Sequence, residues 1–171
     1  MRRLTLILGL ILFWTLPARA ANDPATLQKL MEDTLAAVKA GQKDKVAALL
    51  KPLVLPDATT WFKTVFGNDI GAKLGAEYNS MSSTLPTDLA GIFEGRVKDG
   101  RTIVSVTEVE SATDPNATGL QKQALAAMKT KVPLYSVRFA EKPGMPGYTL
   151  WSFVYVDGQF RLVGKMPMDA G

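Results

Sequence analysis

The chain has 171 residues, 47% of them hydrophobic, with 20 Lys and Arg against 16 Asp and Glu and a formal net charge of +4. It contains no histidine and no cysteine. That excludes Ser-His-Asp hydrolysis, thiol catalysis, disulfides, dithiol redox chemistry, and zinc, haem or iron–sulfur ligation by imidazole or thiolate.

Residues 1–20 read as an export signal. Met1-Arg2-Arg3 is a basic start, Leu4 to Leu16 an apolar run, and Ala18-Arg19-Ala20 an A-x-A cleavage pattern. The run is shorter than the roughly 20 apolar residues of a membrane span. Cleavage leaves residues 21–171 as a single α+β domain, exported to the periplasm or secreted, with no membrane attachment; an uncleaved N-terminal anchor is the alternative. Arg2, Arg3 and Arg19 lie in the signal and no acidic residue does, so the remainder is nearly neutral. The sequence pI near 9.3 is therefore no nucleic-acid footprint.

Asp23-Pro24 predicts a helix start, and Leu27, Leu30, Met31, Leu35 and Val38 recur at helical spacing until Gly41. A short second helix over Lys43 to Leu50 ends before Pro52 and Pro56. Asp57 is placed as the cap of a third, in which Trp61 and Val65, and Phe62 and Phe66, are four residues apart; Gly67 ends it and Asn68-Asp69 cap the next. That next helix carries Ile70, Leu74, Tyr78 and Met81 on one stripe, with Gly71 and Gly75 letting another backbone come close. Leu85 to Val97 reads as a helix; a strand from Ile92 to Lys98 that turns at Asp99-Gly100 is the competing reading. RTIVSVTEV (Arg101 to Val109) is a strand on either reading, and Gly119 to Lys131 predicts a last helix with Leu120, Ala124, Leu125 and Met128 inward.

Three strands follow: Leu134 to Ala140, Tyr148 to Val156 and Gln159 to Met166. Asp157-Gly158 is a two-residue hairpin turn, since both positions must accept positive φ. It pairs Val156 with Gln159, and places Tyr155, Phe153 and Trp151 opposite Phe160, Leu162 and Gly164 on one face, which Met166 extends. Tyr135, Val137 and Phe139 join Phe153, Trp151 and Thr149 there. The opposite face pairs Val154 with Arg161, Ser152 with Val163 and Leu150 with Lys165, a half-polar surface whose Arg138, Arg161 and Lys165 form a cationic stripe. The fold class is α+β, with N-terminal helices packed on one face of a curved antiparallel sheet of about four strands.

Trp61, Phe62, Phe66, Tyr78, Tyr135 and Trp151 are the candidate lining of an aromatic cavity for a small apolar or amphipathic molecule or a partner chain; the same aromatics also serve as ordinary core. A second reading is an isomerase, dehydratase or cyclase with Glu77 or Asp69 as base and Tyr78 or Tyr135 as proton donor. A third is an envelope interaction module, or homodimer, working through the outer sheet face. Glu108 and Glu110 read as charges that keep an edge strand soluble. The residues imply no cofactor, metal or catalytic motif.

Helices followed by an antiparallel sheet that closes on FVYVDGQFRLVGKM (Phe153 to Met166) resemble the nuclear-transport-factor-two-like, cone-shaped superfamily. Ketosteroid isomerase, scytalone dehydratase, polyketide cyclases and many exported proteins share that fold. The resemblance covers Pro24 to Met168 and implies an apolar pocket inside the sheet and association through its outer face. The catalytic Asp, Tyr or His of those enzymes is matched by no residue here, so it implies no enzyme.

Overall fold

Asp23 opens the first helix, its Oδ1 accepting a hydrogen bond from the Ala25 N–H at 2.8 Å, and α1 runs Pro24–Lys39. The computed structural model describes residues 22–168, so the expected export signal lies outside the described residues. Gly41, at φ 67°, turns the chain into α2 (Lys43–Leu50), and Pro52 tightens its end into a 3-10 turn over Lys51–Leu53. Then come α3 (Ala58–Phe66), α4 (Asn68–Ser82) and α5 (Leu85–Lys98), the last a helix throughout. β1 (Ile103–Val109), α6 (Gly119–Ala127), β2 (Leu134–Ala140), β3 (Tyr148–Val156) and β4 (Gln159–Leu162) complete the described chain.

Three boundaries differ from expectation, each for a tertiary reason. Asp57 is left-handed, at φ 44°, and its side chain caps nothing, because the chain enters α3 from a loop fixed by other contacts. α6 stops at Ala127 and not Lys131, since the Lys129 and Thr130 N–H groups both turn to the Val65 carbonyl at the end of α3. β4 ends at Leu162, where Val163 and Gly164 both donate to the Ser152 carbonyl and Gly164 takes φ 72°.

The strands form one curved antiparallel sheet in the order β1-β2-β3-β4, so the fold is α+β. The Asp157-Gly158 turn, with φ 49° and 77°, holds Val156 opposite Gln159, Tyr155 opposite Phe160 and Phe153 opposite Leu162, as its chemistry predicts. Between β2 and β3 the expected register fails. Tyr135 faces Phe153, but Val137 faces Leu150 and Phe139 faces Tyr148, so β3 contains one extra residue at Trp151-Ser152. This bulge changes the strand's phase: Leu150 enters the aromatic face and Trp151 leaves it, so that Trp151 and Ser152 both lie on the opposite side.

Helices cover both faces. On one, Leu27, Met31 and Leu35 of α1, Leu50 of α2, and Leu89 and Phe93 of α5 pack on Val104, Tyr135, Val137, Phe139, Leu150 and Phe153. On the other, Phe62 and Phe66 of α3, Leu74 and Tyr78 of α4, and Ala124 and Leu125 of α6 pack with Val109, Leu134, Val154 and Val163. The surface expected to be half-polar is thus largely buried, and Met166 belongs to this second core.

The glycines of α4 explain how two helices share one narrow space. A Cβ on Gly75 would lie 2.7 Å from the Thr59 Cα, and one on Gly71 would run into the backbone of Phe62 and Lys63. Gly91 in α5 faces nothing within 4 Å. Alanine for glycine inside a helix ordinarily stabilises by up to about 1 kcal/mol. Gly91→Ala should therefore raise the melting temperature, whereas Gly71→Ala should lower stability by about 1–3 kcal/mol through overpacking. Thermal melts of the two variants read the opposite signs directly.

Candidate functional site

The bulge in β3 builds a site at the foot of α6. Ser152, on the side of the sheet opposite the aromatic face, points its hydroxyl toward α6 beside that of Ser136 on β2, and both residues are buried. Gln121, 2% exposed, reaches down from the first turn of α6, its Nε2 donating to Ser136 Oγ at 2.9 Å and to Ser152 Oγ at 3.4 Å. Its Oε1 accepts from the Thr118 N–H at 3.2 Å and the Thr118 hydroxyl at 3.1 Å. The sequence Thr118-Gly119-Leu120-Gln121 is a capping box, which satisfies the helix's first donors and locks the amide over the two serines.

Beside this network lies a cleft of about 340 Å³ lined by Thr118, Leu120, Gln121, Trp151, Lys165 and Met166, among others. The half-buried Trp151 indole forms one wall, and Leu120, expected to point inward, is 37% exposed at another. The exposed Lys165 ammonium sits at the margin. Bulge, amide network and cap together give the cleft an apolar wall, a fixed polar floor and one cation. A groove of about 640 Å³ between α2 and the start of α5 is larger, but no aromatic side chain lines it.

The six aromatic candidates fall in three places. Trp61, Phe62, Phe66 and Tyr78 come together in the second core, with ring centroids 5.0 Å apart for Trp61–Phe62, 6.2 Å for Phe62–Phe66 and 5.9 Å for Phe62–Tyr78. Tyr135 lies on the other side of the sheet, fully buried and edge-on to Phe160 at 5.1 Å. Trp151 alone lines the cleft beneath α6.

Two of these phenols have defined polar partners. Tyr78 Oη accepts from the Leu55 N–H at 2.7 Å, and burial, chiefly, pushes its pKa up. Tyr135 Oη donates to Glu108 Oε1 at 2.8 Å; burial first and Glu108 second push this phenol well above the ordinary tyrosine range. Glu108 thus faces inward across from Tyr135 and does not serve only to keep the edge in water. Glu77 and Asp69, the candidate bases, are exposed on α4, and the cleft that Glu77 shares with Tyr78 holds only about 60 Å³. Arg161 does not join a cationic stripe: its Nη1 donates to the Pro52 and Val54 carbonyls, the latter at 3.2 Å. Among the described residues, no group of three His, Cys, Asp or Glu could hold a metal ion, and no helix is long and apolar enough to cross a membrane.

Two predictions follow from these bonds. Gln121→Ala strands the Thr118 N–H and removes the partner of two buried hydroxyls, so stability should fall by about 1–3 kcal/mol in denaturant titrations. The raised tyrosine pKa values predict alkaline sensitivity. A phenol whose pKa is higher folded than unfolded contributes stability that is fully present below the unfolded value, about 10, and is lost as pH rises through the folded value. Stability should therefore decline above about pH 10, and less steeply in Tyr135→Phe, which removes one such group; a slope unchanged by that substitution contradicts the assignment.

The chain matches no protein-family model, no curated protein and no solved structure.

Proposed function

We propose that this is an exported, non-catalytic binding domain whose ligand is a small amphipathic molecule seated in the cleft between the first turn of α6 and the bulge of β3. The observation that carries the reading is the placement of Trp151. A large aromatic side chain in a nine-residue central strand is ordinarily packed into a core; here an extra residue in the strand turns it to the wall of an open cleft. The volume of about 340 Å³ falls within the range of small-molecule sites, which are mostly apolar with a few placed polar groups.

The chemistry of the lining defines the ligand class. Trp151, Leu120 and Met166 offer a flat and flexible apolar surface, and methionine adapts to irregular shapes. Lys165 at the rim favours an acidic or hydrogen-bonding end on the same molecule. No carboxylate lines the cleft to act as a base, and its Thr118 and Ser152 hydroxyls are held by Gln121, so recognition and not turnover is what these side chains support. Acid–base catalysis has less support, because Glu77 and Asp69 face solvent away from any cleft large enough for a substrate.

Native mass spectrometry of the protein taken gently from its secretory compartment tests the reading. Excess mass that disappears on denaturation is expected. In Trp151→Ala that excess should vanish, or the identified ligand should bind about tenfold or more weakly, a loss of about 1.4 kcal/mol, while the thermal melt stays close to that of the parent. A bare chain, or a Trp151→Ala protein that carries the ligand equally well, removes the cleft as the binding site.

A further inference from the structure

α3, α4 and α6 close only one half of the sheet side on which Trp151 lies. Val109, Leu134 and Val154 are buried beneath them, but farther along the same strands Ile103 is 41% exposed, Ser105, Thr107 and Arg138 are exposed, and Thr149 is half-buried. The open half adjoins the cleft. The register sets Ser105, Arg138 and Thr149 straight across β1, β2 and β3, and Trp151, two residues beyond Thr149, is the diagonal neighbour of Arg138. Residues paired directly across have Cβ atoms about 5 Å apart, and a diagonal neighbour, at about 7–8 Å, is within reach of a long side chain. One row thus holds a guanidinium between two hydroxyls, beside the indole that walls the cleft.

The charge on this side is of one sign. By the strand registers, no Asp or Glu of β1 to β4 points to it, and Glu108 faces the other side, held by the Tyr135 hydroxyl. Arg161 is engaged by the Pro52 and Val54 carbonyls. Lys165 sits at the margin of the cleft on the flank where Gly164 bonds to Ser152, and Arg138 stands on the opposite flank, on β2. Neither has an ion-pair or hydrogen-bond partner among the described residues.

These two cations differ in what they can recognise. A guanidinium presents five donors in a planar fork that matches a carboxylate or another oxyanion bidentately, whereas an ammonium on a flexible stem is a point charge. A second copy of the same surface would bring cations to a surface whose strands hold no anion, and like charges brought together are costly. An acidic group on a small molecule meets no such repulsion.

We infer that Arg138 is the anion anchor of the site: the molecule whose apolar body lies against Trp151 carries a carboxylate or similar oxyanion, which seats on the Arg138 guanidinium between the Ser105 and Thr149 hydroxyls. Lys165, on the other flank of the indole, adds attraction without direction. The inference rests on the binding cleft proposed above, and adds to it the charge of the ligand and the side chain that selects it.

Two probes of one shape, 2-naphthoate and its uncharged carboxamide, separate the charge from the apolar body in calorimetric titrations at low salt. The parent should bind the acid about tenfold more tightly than the amide, the scale of one charge-assisted bond. Arg138→Gln should weaken the acid to about the level of the amide, with the amide and the melting temperature little changed, since the side chain is exposed. Arg138→Lys should recover part of the preference, and Lys165→Gln should cost the acid less than Arg138→Gln does. Added salt should narrow the gap between the probes in the parent and not in Arg138→Gln. A parent that binds acid and amide alike overturns the inference and leaves the cleft standing. So does a preference that persists in Arg138→Gln, or a larger loss in Lys165→Gln. Binding of both probes undiminished in Trp151→Ala, or of neither to the parent, removes the cleft and the anchor together.

Discussion

A β-strand can serve two cores only by alternating strictly between them, and β3 has to meet two demands that strict alternation cannot reconcile. Near its end, Phe153 and Tyr155 must face Tyr135 and Phe160; near its start, Tyr148 and Leu150 must face Phe139 and Val137. Five and seven residues separate Tyr148 from Phe153 and Tyr155, and odd separations cannot stay on one side of an unbroken strand. The extra residue at Trp151-Ser152 resolves the conflict. It also fixes what lies beneath: two adjacent residues now point toward α6, one a hydroxyl that the Gln121 amide can hold and the other an indole too large to be buried there. The position of α6, the cleft beside it and the continuity of the aromatic face all depend on that one insertion. Removing a residue at this point would invert half of β3, exposing Leu150 and Tyr148 to the α6 side.

The two helical layers are joined across the sheet edge by a short loop, and its fixation is polar. Between the 3-10 turn and α3 the backbone has little regular structure, so its donors and acceptors need partners elsewhere. Arg161 from β4 supplies donors to the Pro52 and Val54 carbonyls, and Tyr78 from α4 accepts from Leu55. The loop is thereby tied to one strand and one helix at once. The left-handed Asp57 follows, a conformation that aspartate tolerates better than most residues. α3 then leaves in a direction set by these bonds, and the glycines of α4 allow it to run against its neighbour at backbone contact. Arg161 Nε is buried with no hydrogen-bond partner among the described residues, while Nη1 of the same guanidinium donates to both carbonyls.

How much of this was legible in the chain depends on the range over which each signal acts. Local chemistry was read well: Asp23-Pro24 opens α1, Asp157-Gly158 sets the last hairpin register, and the glycines in α4 do admit another backbone. The bulge was not legible, because Leu150 and Trp151 are both apolar and either phase of β3 reads as amphipathic; the five-residue loop before it does not specify a register. Arg161 read as a surface cation and Gln121 did not stand out at all, since nothing in the flanking sequence shows that carbonyls or serines distant in the chain will meet them. The Thr118 to Gln121 spacing was a visible cue to the cap, though not to its second role. The aromatic candidates dispersed because composition says which residues need burial but not into which of two cores they go.

The polar part of the contact between α6 and the sheet is made of an amide, two serine hydroxyls and a threonine cap, with no ionised group in it. Amides and hydroxyls neither gain nor lose a proton across the range in which carboxylates and amines do, and their mutual attraction is not screened by salt as that of charges is. The floor of the cleft therefore keeps one shape from acid to mild alkali and from dilute to concentrated electrolyte.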